Sequence, residues 1–207
     1  VPLNADPHTY QPTPQDVVKL THAQLVVVNG AYFEEWMDKM IQASETKGDV
    51  VVASAGITLR EGVNDPHLWH DPANLLIYIT NIEKTLCKHL PAMAATIAEN
   101  ARQLRAKVEH LHHTLKKMFD GLPPTQRTVI TTHDAFWYFG RAFGLNFEAP
   151  IGISTEAEPT AADVKRLIDY IKTHKLKAVF IENLSLPRVV EQIAAEAHIP
   201  IRGTLYA

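Results

Sequence analysis

The chain has 207 residues, 46% of them hydrophobic, with 23 acidic against 20 basic side chains and a formal charge of −3. That composition can bury the core of one domain or two small lobes, and it excludes disorder as the main state. A mildly acidic balance without a basic run argues against nucleic acid or an anionic membrane surface as partner, and no apolar run approaches the roughly 20 residues that span a bilayer.

Thr13-Pro14-Gln15-Asp16 reads as a helix start, with Thr13 as N-cap and Pro14 at the first helical position, where its missing N–H costs nothing. That helix should end near His22. A β-branched run over 24–28 predicts a strand stopped by Asn29-Gly30, followed by a helix over 33–43 and a second strand over 49–53. Asp71-Pro72 repeats the cap-then-proline start, and Leu75, Leu76, Ile79, Ile82 and Leu86 carry a helix to about Leu90. After Pro91, Met93, Ile97, Ala101, Leu104, Val108, Leu111, Leu115 and Met118 step by threes and fours. They draw one apolar stripe along a helix of about 28 residues, roughly 42 Å long.

Strands over 127–131, 145–147, 178–182 and 200–204 then alternate with helices over 135–143, 160–174 and 187–197. Alternation on both sides of one rod implies an α/β fold: two lobes with parallel sheets covered by helices, joined by one long rigid helix. The division is 1–91 for the first lobe, 92–121 for the linking helix and 122–207 for an incomplete second lobe. Both ends look cut, with no strand before Val1 and no closing helix after Leu205-Tyr206-Ala207, so a fragment is expected. No signal peptide opens the chain, and any export signal was removed or never included. The single Cys87 lies in an apolar helical pattern and reads as a buried thiol.

Asp-Pro-His occurs twice, at Asp6-Pro7-His8 and Asp65-Pro66-His67, where this composition predicts roughly 0.03 occurrences by chance. Proline fixes its own φ and biases the preceding residue towards an extended shape, which holds each histidine in a stiff loop. His133, in Thr132-His133-Asp134-Ala135-Phe136, follows a predicted strand and precedes a predicted helix. Open α/β folds place their ligands at such carboxyl ends. Any one of these histidines alone is better read as a cap or a half-buried hydrogen-bonding residue. The matched tripeptides together with a strand-end histidine tip the balance towards a metal site at His8, His67 and His133. Asp134 reads as an N-cap or an outer acceptor rather than a ligand.

The other histidines have plainer roles. His110, His112 and His113 lie on the long rod as a solvated face, and His70 adjoins the Asp71 cap. His22, His89, His174 and His198 sit near helix ends, where the C-terminal dipole favours them. Trp69 and Trp137 could wall the histidine cleft. Glu182, at a strand end, reads more readily as an anchor for nearby loops than as a carboxylate facing that cleft.

Five stretches carry a resemblance: 6–14 with Asp6-Pro7-His8, 65–72 with Asp65-Pro66-His67-Leu68-Trp69, Thr132-His133-Asp134-Ala135-Phe136, Gly152-Ile153-Ser154-Thr155-Glu156, and Phe180-Ile181-Glu182-Asn183. In this order they resemble the solute-binding components of zinc and manganese ABC importers, the TroA and ZnuA type. The resemblance implies two α/β lobes joined by one rigid helix, with a metal ion held between them. It makes His8 and His67 ligands from the first lobe and His133 a ligand from the second. It also implies a fourth, aspartate ligand beyond Ala207, a membrane permease as partner, and a periplasmic or cell-surface location, with lipid anchoring in some relatives.

Three imidazoles suit zinc, with water in the fourth position, better than manganese, which prefers more oxygen ligands. Zinc is therefore expected as cargo and manganese is the second choice. A monomer without catalytic activity is expected. The rival is a zinc hydrolase, since three histidines and an open position also describe a water-activating site. No His-Glu-x-x-His helix or other obvious general base accompanies the histidines. A bare cell-surface adhesion module is a third alternative.

Overall fold

The computed structural model describes residues 1, 6–155, 157–183 and 187–207. Contacts divide the chain into two compact units, Tyr10–Thr114 on one hand and Val1–Thr9 with Leu115–Ala207 on the other.

In Tyr10–Thr114, helix α1 (Pro14–Thr21) begins as its sequence requires, with proline at the first position. The Asp16 carboxylate accepts the Tyr10 hydroxyl at 2.7 Å, the Thr13 N–H at 3.0 Å and the Thr13 hydroxyl at 2.8 Å. These bonds, the one from Tyr10 foremost, hold the Asp16 carboxyl well below the usual carboxylate range. Strand β1 (Leu25–Val28) is almost all valine, which suits a pleated, half-buried surface. After helix α2 (Glu35–Ser44), β2 (Asp49–Val52) pairs with β1 in parallel, from Leu25 opposite Asp49 to Val28 opposite Val52. Parallel neighbours need such a crossover.

Helix α2 starts two residues later than the periodicity predicts, because Gly30, Ala31 and Tyr32 all take positive φ. Gly30 is required there, since a Cβ would sit 2.4 Å from Val52 Cγ1. The Glu34 carboxylate closes this turn by accepting the N–H groups of Asn29 at 2.5 Å and Gly30 at 3.1 Å. Burial outweighs those bonds and raises the Glu34 carboxyl above its ordinary pKa.

Helix α3 (Pro72–His89) also begins on proline, and the Asp71 side chain caps it by accepting the Ala73 N–H at 2.9 Å. Helix α4 (Ala94–Asp120) has 27 residues, and the boundary between the two units falls within it. The expected apolar stripe is only partly used: Ala101 and Val108 are buried, whereas Met93, Leu104, Leu111 and Met118 are exposed. The two sets lie on helix lines about 60° apart, and packing among the described residues covers only the first. Cys87 is half-buried rather than buried, its sulfur 3.8 Å from the Ala94 carbonyl near the start of α4.

In the other unit, β3 (Thr128–Ile130) pairs in parallel with β4 (Asn146–Glu148) across α5 (Trp137–Phe143). Helix α6 (Ala161–His174) follows, its Thr160 hydroxyl accepting the Asp163 N–H while the Asp163 carboxylate accepts the Thr160 N–H. Strand β5 (Val179–Glu182) then pairs in parallel with β6 (Ile201–Leu205) across α7 (Arg188–Ala197). Ile130 and Val179 from the strands and Leu167, Ile171, Val190 and Ile193 from α6 and α7 form the centre of this unit's core. Helix α5 begins at Trp137, not Ala135, with Phe136 at the cap, so Asp134 does not cap it. The Asp134 N–H goes instead to the Gly152 carbonyl at 3.3 Å. His22 and His198 stand at the C-caps of α1 and α7, and His89 and His174 in the last turns of α3 and α6, as expected. Among the described residues no helix is long and apolar enough to cross a membrane.

Candidate metal centre

His133 lies three residues beyond β3, bridged in parallel to Ile151. Strand β5 packs beside β3 and ends in Glu182, whose carboxylate reaches the turn that carries the histidine. One carboxylate oxygen accepts the N–H groups of Thr132 at 2.9 Å and His133 at 3.0 Å, and the other pairs with the His133 ring at Nδ1. Both residues are 3% exposed. An ionised carboxylate only accepts, so Nδ1 carries the ring proton and Nε2 keeps the lone pair that a metal needs. Glu182 is thus the loop anchor the sequence favoured, with a ring contact that the sequence did not suggest.

His8 belongs to the same unit. Its N–H is accepted by Asp6 Oδ1 at 2.9 Å, while the other Asp6 oxygen takes the Thr155 hydroxyl. The His8 ring stands edge-on to His133 with centroids 5.9 Å apart, and each ring offers a nitrogen within 4.8 Å of the other's. One zinc ion, with bonds of about 2.0–2.1 Å, can bridge such a pair after a small adjustment.

His67 belongs to Tyr10–Thr114. Asp65 Oδ1 accepts its N–H at 3.1 Å and faces its Nδ1 at 2.9 Å, while Asp65 Oδ2 meets the Arg60 guanidinium at 3.3 Å. Asp65 and His67 are each 1% exposed. The Trp69 ring stands 5.3 Å from His67, and Phe33 packs edge-on against Trp69. Here too Nδ1 faces a carboxylate, and the tautomer that donates to it carries its lone pair on Nε2.

Both Asp-Pro-His tripeptides therefore make the same turn, the aspartate accepting the N–H of the histidine two residues on, with proline fixing the link between them. That is the physical reason for the repetition. Leu68–His70 forms a short 3-10 turn that was not predicted, and it sets His70 directly before the Asp71 cap. Trp137 packs on Tyr138 and under the Arg141 guanidinium. Asp65, Arg60 and Thr155 join the site through these bonds. Asp65 had a signal, a carboxylate two residues before a histidine, and Thr155 lies within one of the stretches that carry the family resemblance; Arg60 had none.

Parallel αβ units that carry buried, carboxylate-backed imidazoles on their loops fit one class, the metal-ion solute-binding proteins. The model of the ZnuA family, described as the periplasmic component A of the zinc-uptake complex, matches residues 1–207, and this chain belongs to that family. The iron-binding protein YfeA of Yersinia pestis is 34% identical over 98% of this chain and 67% of its own length. The manganese ABC transporter substrate-binding lipoprotein PsaA of Streptococcus anginosus is 28% identical over all of this chain and 71% of its own. Among solved structures, the periplasmic zinc-binding protein TroA of Treponema pallidum superposes with a TM-score of 0.91 at 29% identity, over 98% of this chain and 77% of that one.

Proposed function

We propose that this chain is the substrate-binding part of an ABC importer, which captures a divalent transition metal outside the cytoplasmic membrane and hands it to a membrane permease. His8, His67 and His133 are the ligands in this reading, and the ion is cargo. The observation that carries it is the preparation of the imidazoles. Nδ1 of His67 faces a buried carboxylate, Nδ1 of His133 another, and His8 lies beside His133 with ligating nitrogens in reach of one ion. Carboxylate–histidine–metal arrangements use this pattern to fix the tautomer and raise ligand basicity.

Zinc is the preferred cargo because the three donors are all imidazole nitrogens, with manganese second. The relatives' names span iron, manganese and zinc, so the choice among these ions rests on donor chemistry. The chain acts as a monomer and carries its ion without turnover. Elemental analysis of protein purified without added metal tests the reading, followed by zinc and manganese titration against a chromophoric chelator. Stoichiometric zinc, with manganese binding more weakly, is the expected result. No bound metal and no affinity for either ion would overturn it.

A further inference from the structure

Helix α3 carries Asn74, Tyr78 and Asn81 one to two turns apart, and all three direct hydrogen bonds outside the helix. Asn74 Nδ2 donates to the Leu68 carbonyl at 2.9 Å. The Tyr78 hydroxyl donates to Asn29 Oδ1 at 2.6 Å, and Asn29 Nδ2 donates in turn to the carbonyls of Gly30 at 2.9 Å and Pro66 at 3.5 Å. Asn81 Nδ2 donates to the carbonyls of Ala53 at 2.8 Å and Ala55 at 2.9 Å. Pro66 and Leu68 are the two neighbours of His67. The backbone is therefore tied to one helix on either side of that histidine, at the Leu68 carbonyl directly by Asn74 and at the Pro66 carbonyl through Asn29 by Tyr78.

We propose that Asn74 and Tyr78 are positioning residues for the His67 imidazole, a role that rests on the metal-binding reading of His67. An imidazole has two side-chain torsions, so its aim is only as good as the placement of its Cα. Asp65 restrains the ring but shares the loop it restrains. Helix α3, 18 residues long and capped by Asp71, supplies the rigid reference that this loop lacks. Asn74 stands in the first turn of α3, at its third helical position. It is 6% exposed and bonded to a backbone carbonyl six residues earlier.

The test compares Tyr78→Phe and Asn74→Ala with Asn81→Ala, which removes the same kind of helix-to-backbone bond away from His67. Zinc affinity is read by chelator competition, and ligand geometry by the visible d–d bands of the Co2+-loaded protein. Tyr78→Phe and Asn74→Ala should raise the zinc Kd about tenfold, the low end for outer partners of a metal ligand, and shift the Co2+ bands. Asn81→Ala should leave Kd within about twofold, even where its melting temperature falls as far. Tyr78→Phe keeps its ring, so it answers the question even if Asn74→Ala fails to fold. Equal weakening by Asn81→Ala, or parent-like zinc affinity in Tyr78→Phe, would overturn the inference while leaving the metal site standing. A parent protein that binds neither zinc nor Co2+ would remove the site and the inference together.

Discussion

His67 and His133 meet the same chemical requirement by different routes. Each ring has Nδ1 against a buried carboxylate. For His67 the carboxylate is Asp65, two residues away in the same loop, and its second oxygen is met by the Arg60 cation. For His133 it is Glu182, 49 residues away at the end of another strand, and the same group also holds the N–H groups of Thr132 and His133. One histidine is oriented by its own turn, the other by the packing of two strands. The lesson is that a local device needs an external brace, here a cation and helix α3, whereas a strand-mounted one is held by the core.

The largest expected effects remove the rings. His67→Ala and His133→Ala should each weaken zinc binding by more than the roughly 100-fold that bounds outer partners, as measured by chelator competition. Unequal losses would show that one unit supplies most of the affinity. Next come the carboxylates. Asp65→Asn and Glu182→Gln should each cost about 10- to 100-fold in zinc affinity, with Glu182→Gln the larger because its carboxylate orders the backbone of the turn as well as the ring. An Asp65→Asn protein that binds as tightly as the parent would mean that the tripeptide turn alone aims His67.

A pH experiment probes the turn closed by Glu34, where Asn29 also bonds the Pro66 carbonyl. The Glu34 carboxyl is raised above its ordinary pKa by burial, so the folded state holds this proton more tightly than the unfolded one. Stability from this group is therefore fully present below the unfolded pKa and is lost as pH rises through that value towards the folded one. Glu34→Gln should flatten that fall, read as the denaturation midpoint between mildly acidic and neutral pH; an unchanged slope would count against it. The smallest effect belongs to His110→Ala on the exposed face of α4. It should alter zinc affinity and stability by no more than about 0.5 kcal/mol, and a larger loss of binding would show a histidine site on the rod.

How far the site could be read in advance follows from the same contrast. The Asp-Pro-His turns were visible because their bonds join residues two apart, and the proline that stiffens them stands between. The helix starts at Pro14, Pro72 and Ala161 were visible for the same reason, since caps and first-turn residues lie within four positions of one another. The delayed start of α2 was hidden because three consecutive positive φ values depend on Glu34 reaching back to Asn29. The stripe on α4 was legible as a pattern, but which of its lines is covered depends on packing partners that periodicity does not name.

Short-range chemistry in the chain specified the alternation of strands and helices, their caps, the stiff histidine turns and the donor type. All of these arise between residues a few positions apart, where φ, ψ and hydrogen bonds are set by immediate neighbours. The partnership of Glu182 with His133, the approach of His8 to His133 and the clamp from α3 around His67 belong to the fold. Each joins groups brought together by strand pairing or helix docking, and a linear order of residues carries no distance between such groups until the core has closed.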